Sequence, residues 1–309
     1  MSTIIITGGT GLIGSVLSKR LAAKGHQIII LSREVRKSED KNISFATWDI
    51  NAQTIDETAI KNADYIIHLA GAGVADKRWS EARKKEIVGS RTKSGALLVK
   101  VLNEVPNKIQ AVISASAIGW YGDDKRLQKH KVAFTEEMPA DGDFLGETCR
   151  LWEESLQPVK QLGIRLVYLR TGIVLSKDGG ALPEFIKPVN AGIAGFLGGG
   201  KQVISWIHIE DLCRMFEFAI ENKEVSGIYN AVAPAPVTNK ELTLELAARI
   251  RGKFFVSMHI PAFVVKAMLG GMSVEILKST TVSCEKIKSE GFQFVYRSLA
   301  SALNDLVKK

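Results

Sequence analysis

Apolar residues in the first two-thirds of the chain come in short runs, each followed by a mixed stretch with helical spacing. Ile4-Ile5-Ile6, Gln27–Leu31, Ile43–Trp48, Asp64–Leu69, Gln110–Ser114 and Ile164–Leu169 read as strands. Runs of this kind suit a parallel sheet covered by helices on both faces, where neither side of a strand meets water. The stretches between them supply the crossovers. The first helix ends near Gly25, and the longest stretch, Trp79 to Glu104, sets Ile87, Leu97, Leu98, Val101 and Leu102 among many charges. It predicts one amphipathic helix or two in succession. Strand and helix alternating in this way predict an α/β fold, a Rossmann-type doubly wound parallel sheet.

Beyond Leu169 the pattern changes. Gly179-Gly180, Gly192, Gly195 and Gly198-Gly199-Gly200, with Pro183 and Pro188, read as an irregular stretch that leaves the sheet, either a linker or a wall of a cleft. The chain returns for a strand at Val203–Ile207 and a helix from Glu210 to about Glu221. From Thr238 the reading is helical: Asn239 to Arg251, Pro261 through Gly270-Gly271, then segments near Val274–Lys278, Ser283–Glu290 and Ser298–Lys308. The organisation expected is a Rossmann domain over residues 1–232 and a small, mainly helical C-terminal lobe over 233–309.

Bulk composition narrows the class. With 309 residues and 46% hydrophobic content, the chain can bury a sizeable core. Cys149, Cys213 and Cys284 lie far apart with no C-x-x-C spacing, so neither a disulfide framework nor a metal site is expected. No apolar run is long enough to span a bilayer, and the start is a strand rather than a leader, so a cytoplasmic protein without membrane contact is expected. The net charge of +8 raises nucleic acid as a partner, but the basic residues are scattered and no aromatic residues interleave them. A solvated surface is the simpler reading, and a small-molecule partner is expected instead of nucleic acid.

Candidate chemistry begins where the first strand ends, in Thr7-Gly8-Gly9-Thr10-Gly11-Leu12-Ile13-Gly14. Glycines 9, 11 and 14 satisfy G-x-G-x-x-G, and 8, 11 and 14 satisfy G-x-x-G-x-x-G. Both spacings let backbone turn sharply and approach a pyrophosphate, while the helix opening at Leu12 aims its free N–H groups and positive dipole end at it. The bland alternative is a glycine turn that only lets helix pack on strand. The second strand ends in Ser32-Arg33, where many NAD-binding folds place an acid. A carboxylate there would repel a 2′-phosphate and a guanidinium would grip it, so the pattern points to NADP, unless Arg33 is simply an exposed strand-end residue. A second ligand-facing turn is expected at Leu69-Ala70-Gly71-Ala72-Gly73, where small residues again permit close approach.

The fifth strand runs into Ser114-Ala115-Ser116-Ala117-Ile118-Gly119-Trp120-Tyr121-Gly122. With T-G-x-x-G-x-x-G and the L-A-G turn, this order of motifs resembles the extended short-chain dehydrogenase/reductase superfamily. Longer phrases resemble one atypical branch of it, the bacterial "epimerase family" proteins and their eukaryotic relative. These include Arg78-Trp79-Ser80, Gly89-Ser90-Arg91, Asp143-Phe144-Leu145, Arg170-Thr171-Gly172-Ile173, Ser205-Trp206-Ile207-His208, Tyr229-Asn230-Ala231 and Gly291-Phe292-Gln293-Phe294. The resemblance covers essentially the whole chain.

It implies a cofactor site at Gly8, Gly9, Thr10, Gly11, Leu12, Ile13, Ser32, Arg33, Leu69, Ala70, Gly71 and Ser114. It adds Ile173 through its backbone, and Glu86 and Arg91 beside the nicotinamide half; on composition alone the last two are surface charges. It also implies that Ser116 holds the reacting oxygen. The superfamily's proton donor is a tyrosine with a lysine four residues later on the next helix, and here that helix reads Asp143-Phe144-Leu145-Gly146-Glu147-Thr148-Cys149-Arg150. Whether Phe144 or Leu145 takes the tyrosine's place, Thr148 or Cys149 takes the lysine's. Positioned acid–base catalysis contributes roughly 10²–10⁴ in rate, so ordinary reductase chemistry does not carry over unchanged. Tyr121 is the first candidate for a substitute acid, with Glu147, Cys149 or a water behind it. His208 reads as a hydrogen-bonded structural residue with no partner carboxylate identifiable.

The function expected is that of an NADP-dependent oxidoreductase or epimerase-like enzyme acting on a small molecule. The alternative is a catalytically weak NADPH-binding sensor or scaffold that has no need of the missing pair.

Overall fold

A computed structural model describes residues 1–34, 36–127 and 132–307. The opening apolar run forms β1 (Thr3–Thr7) and turns at Gly8–Gly11 into α1 (Leu12–Ala23), which returns the chain to β2 (Gln27–Ser32). β3 (Ile43–Asp49) carries a short hairpin partner, β4 (Thr54–Ile55), before α2 (Glu57–Asn62) leads into β5 (Tyr65–His68). The charged stretch is one continuous helix, α3 (Glu81–Glu104), capped at its start by the Ser80 hydroxyl. It crosses to β6 (Ala111–Ala117), and α4 (Phe144–Leu156), capped by Asp143, crosses to β7 (Arg165–Thr171).

The next segment is more ordered than its glycines predict. After β8 (Ile173–Ser176) and β9 (Gly179–Gly180) come α5 (Leu182–Asn190), with Pro183 in its first turn, and β10 (Ile193–Leu197). Proline at a helix start lacks only an N–H that would have no helical partner, so Pro183 marks a beginning rather than a break. β11 (Val203–Ile204), β12 (Trp206–His208) and α6 (Ile209–Glu221) lead to β13 (Gly227–Ala231). Then follow β14 (Val237–Thr238), α7 (Asn239–Arg251), β15 (Val256–Ile260), α8 (Ala262–Leu269), α9 (Ser273–Leu277), α10 (Glu285–Ser289) and α11 (Leu299–Leu306). The C-terminal lobe is mainly helical, as the pattern predicts. β15, which pairs in parallel with β10, is an addition to it.

The main sheet runs β4-β3-β2-β1-β5-β6-β7-β13, parallel throughout except for β4. Strand order reverses between β1 and β5, and open α/β sheets bind ligands at the carboxyl ends beside such a reversal. Alternate residues of β1 serve opposite layers: Ile4 and Ile6 pack with α1 and α6, and Ile5 packs with Leu98 of α3. A third core joins Leu182, Val189, Ala194 and Trp206 to Leu242, Leu246, Leu303 and Leu306. This third core draws on residues from both sides of 232/233. No helix among the described residues is long and apolar enough to cross a membrane.

Candidate functional site

Two turns meet at the reversal of the sheet. Gly8 has φ +67°, and a Cβ there would lie 2.8 Å from the Leu69 carbonyl oxygen. At Gly14 a Cβ would lie 2.3 Å from the Gly8 carbonyl oxygen, so glycine at these two positions is a packing requirement. Helix α1 starts at Gly11 with no side-chain cap and no acid in its first turn, which leaves its positive end free for an anion. Thr10 and Gly11 are exposed at the tip, Gly9 is buried, and Leu12 and Ile13 are half-buried.

Thr7 ties this turn to the next. Its Oγ1 accepts from the N–H groups of Leu69 (3.1 Å) and Ala70 (3.2 Å) and donates to His68 Nδ1 at 2.8 Å. Nδ1 thus carries no proton, so the neutral ring bears its hydrogen on Nε2, where the Ser94 hydroxyl lies 3.3 Å away. The Ser94 hydroxyl in turn donates to the Arg91 carbonyl oxygen. Burial, with Arg91 nearby, pulls the His68 pKa down to about 3.

Arg91 lies behind the second turn. Its Nη1 donates to Ala72 O (3.0 Å) and Ile87 O (2.9 Å), its guanidinium rests over the Trp152 ring, and it packs against the exposed Gly71. Glu86 is one step further out. It is 56% exposed and bonds Arg83, which itself bonds the Gly73 carbonyl; the bond to Arg83 holds the Glu86 carboxyl below its ordinary range. At the other flank, the exposed Arg33 lines a shallow cleft with Thr47, Trp48, Asp49, Thr54, Ile55 and Asp56. Among the described residues Arg33 forms no ion pair. Asp49 and Asp56 instead accept from backbone N–H groups of their own turns. The half-buried Ser32 turns its hydroxyl to the Glu34 carbonyl.

The expected catalytic residues are placed differently. Ser116 is 2% exposed and its hydroxyl donates to Glu153 Oε1 at 2.7 Å. Glu153, on α4, is held bidentately by Arg170 of β7 at 2.8 and 2.9 Å. Arg170 Nη1 donates to the Tyr121 hydroxyl (3.1 Å), which donates to Asn230 Oδ1 at 2.6 Å. Tyr121 is wholly buried, and burial raises its pKa well above that of an ordinary phenol. In the chain as it stands both hydroxyls lie inside one buried polar network, with Ser116 donating to Glu153 and Tyr121 to Asn230, so neither is presented at an open surface. Ser114 is likewise internal and donates to Ala115 O. The Ile173 N–H donates to Ser205 O, so this residue offers its 40%-exposed side chain rather than that backbone group.

Helix α4 supplies no substitute. A Cβ at Gly119 would lie 3.1 Å from Leu145 Cβ and 3.7 Å from Cys149 Sγ, so Leu145 and Cys149 are the pair facing the end of β6. Burial, reinforced by Glu153, pushes the Cys149 thiol up to about 12. Glu147 points outward, bonded to Arg150. His208 caps α6 by accepting from Glu210 N and stacks on Tyr296. A carboxylate partner unseen in the sequence, Asp305, lies 3.4 Å from its Nε2. The sequence reading also missed His68, Glu153 and Asn230. A charged residue at the end of the apolar run Leu166–Leu169, Arg170, was the available signal for a buried partner.

A parallel sheet with a glycine turn at its strand-order reversal and a small C-terminal lobe is the architecture of the extended short-chain dehydrogenase/reductases. The chain belongs to the NAD dependent epimerase/dehydratase family, whose profile matches residues 4–231; a domain of unknown function, DUF1731, matches residues 260–306. The epimerase family protein YfhF of Bacillus subtilis is 36% identical over 98% of this chain and 97% of its own. The crystal structure of human epimerase family protein SDR39U1 (isoform 2) with NADPH superposes with a TM-score of 0.86 at 27% identity, covering 98% of each chain. A nucleoside-diphosphate sugar epimerase from Corynebacterium glutamicum superposes with a TM-score of 0.77 at 30% identity, covering 99% of this chain and 58% of that one.

Proposed function

We propose that this chain is an NADP(H)-dependent oxidoreductase or epimerase-like enzyme acting on a small molecule. The observation that carries this reading is the double turn at Gly8–Gly14 and Leu69–Gly73. A pyrophosphate fits there because the α1 N-terminus is uncapped and side chains are excluded where backbone must approach. Arg33, free of ion pairs among the described residues and facing a cleft beside β3, supports the 2′-phosphorylated cofactor. The NADPH bound to the human relative points the same way. Gly71, with Arg91 fixed behind it, and Ile173 would border the nicotinamide half.

A bound nicotinamide would supply a hydride, two electrons with one hydrogen nucleus, to a carbonyl carbon, and the oxygen then needs one proton. Leu145 carries no acidic proton, and the Cys149 thiol is buried. Water entering the cleft is the remaining donor, and turnover without a positioned acid is slow. The same residues favour the second reading, a sensor that binds NADPH without turnover.

Calorimetric titration with NADPH and NADH tests the cofactor, and NADPH absorbance over a panel of carbonyl compounds separates the two readings. Saturable NADPH binding with slow, substrate-dependent oxidation supports the enzyme. Tight binding with no oxidation supports the sensor, and no binding of either dinucleotide defeats both.

A further inference from the structure

We propose that the outer face of β15 and α8 docks the chain on the surface of an anionic lipid bilayer. The inference is independent of the cofactor and of any turnover. Its first ground is apolar exposure. Among the described residues eleven large hydrophobic side chains stand exposed, and six of them, Phe254, Val256, Met258, Phe263, Met268 and Val274, fall in one short segment of chain. Phe255 turns into the third core while Phe254 stands 83% exposed. The alternation continues along β15: Val256 and Met258 lie on one side of the strand together with the exposed Ile193, the register partner of Val256 on β10. Gly195, opposite Met258, adds no side chain to cover that side. Helix α8 follows after Pro261. Seven of its eight residues are apolar, yet only Val265 is buried, and Phe263, two positions away and hence on the opposite side of the helix, is 72% exposed. A helix that serves only its own core turns its apolar residues inward, and a contiguous exposed apolar face marks a contact surface.

The second ground is charge, and it selects the occupant. No acid occurs between Glu245 and Glu275, whereas Arg249, Arg251, Lys253 and Lys266 do. Arg251, Lys253 and Lys266 are exposed and form no ion pair among the described residues. The acids on adjoining elements are engaged: Glu184 by Lys187, Glu241 by its helix cap at Thr238, Glu245 by Arg249 and Glu275 by Lys278. A second copy seated on this face would bring Lys253 and Lys266 against their own counterparts with no acid to meet them. Lipid phosphates meet those charges, while the phenyl and thioether side chains enter the boundary of the acyl chains. Contact of this kind needs no spanning helix, so the lack of one among the described residues does not bear on it.

Co-sedimentation of the full chain with lipid vesicles tests this. Binding is expected to vesicles of phosphatidylglycerol and phosphatidylcholine in equal parts at about 0.1 M salt, to fall steeply by about 0.5 M, and to be absent on phosphatidylcholine alone. Lys253→Glu with Lys266→Glu should weaken it by more than about tenfold, and Phe254→Ser with Phe263→Ser by about tenfold, with melting temperatures unchanged because all four side chains are exposed. Lys19→Glu with Lys100→Glu, exposed lysines on α1 and α3, alters the net charge equally and should weaken binding by less than about threefold. Should the phenylalanine variant fail to fold, the two lysine variants decide. No binding to the anionic vesicles, or equal binding to the neutral ones, would overturn the proposal. Equal losses in both lysine variants would trace binding to net charge rather than to this face and would overturn it too. A dimer in sedimentation velocity that Phe254→Ser with Phe263→Ser dissolves, without vesicle binding, would assign the face to a second copy instead.

Discussion

The Thr7 hydroxyl donates to His68 Nδ1 at 2.8 Å while accepting from the N–H groups of Leu69 and Ala70, so one side chain fixes both turns of the candidate cofactor site. The two residues are register partners at the ends of β1 and β5. Replacing Thr7 with Val keeps the shape and removes every one of these bonds. A buried donor or acceptor left unpaired costs about 1–3 kcal/mol. Thr7→Val should therefore lower the urea midpoint and weaken NADPH binding together, and an unchanged midpoint would refute the tie.

His68 gives a pH dependence with a definite sign. Its pKa falls from 6.5 to about 3 on folding, so below pH 6.5 the unfolded chain binds a proton that the folded chain does not. Stability from this group is complete above pH 6.5 and is lost as pH falls towards 3. Its slope approaches about 1.4 kcal/mol per pH unit between those limits. Urea titrations at pH 7, 6 and 5 should show a shallower decline in His68→Gln than in the wild type. Parallel declines would mean that His68 does not stay neutral in the fold.

Arg33 faces its cleft with no ion pair among the described residues, so Arg33→Asp should weaken NADPH by more than about tenfold and leave NADH nearly unchanged. Equal losses for both dinucleotides would show that it does not read the 2′-phosphate.

Tyr121→Phe and Ser116→Ala should act on stability. Each removes a donor from the buried network, at about 1–2 kcal/mol, without touching a cofactor contact. Thermal melting should report the loss while NADPH affinity stays at the wild-type value. A variant with wild-type melting but abolished turnover would restore that residue to the chemistry.

The pair Glu153 and Arg170 should show strong coupling. Arg170→Met leaves a buried carboxylate without its cation, which costs about 3–5 kcal/mol, whereas the double variant Arg170→Met with Glu153→Met should recover part of it. Additive losses in the urea midpoint would indicate that the two do not act as a pair.

The sheet was legible in the sequence because β1, β2, β3, β5, β6 and β7 are runs of apolar residues broken by turns, a pattern that little else in a protein produces. β13 and β15 were not. Gly227-Ile228-Tyr229-Asn230-Ala231 carries a buried asparagine in its middle, and four residues of β15 are exposed, so neither shows an apolar run. The glycine turn was legible for the same local reason, since its spacing is a backbone requirement within one turn. The roles of Ser116 and Tyr121 were not, because what decides them lies at Glu153, Arg170 and Asn230, far away in the chain. Direction along a strand can be read locally, but the partner of a buried hydroxyl cannot.

The third core bears on the order in which the chain leaves the ribosome. The main sheet has all its strands once Ala231 has emerged, and domains tend to fold as units during synthesis. Leu182, Val189, Ala194 and Trp206 have been made by then, but the side chains that cover them, Leu242, Leu246, Leu303 and Leu306, have not. For the last quarter of translation the nascent protein holds a finished nucleotide-binding half beside an uncovered greasy face. A ribosome stalled between residues 232 and 299 would present that face to chaperones and to neighbouring chains.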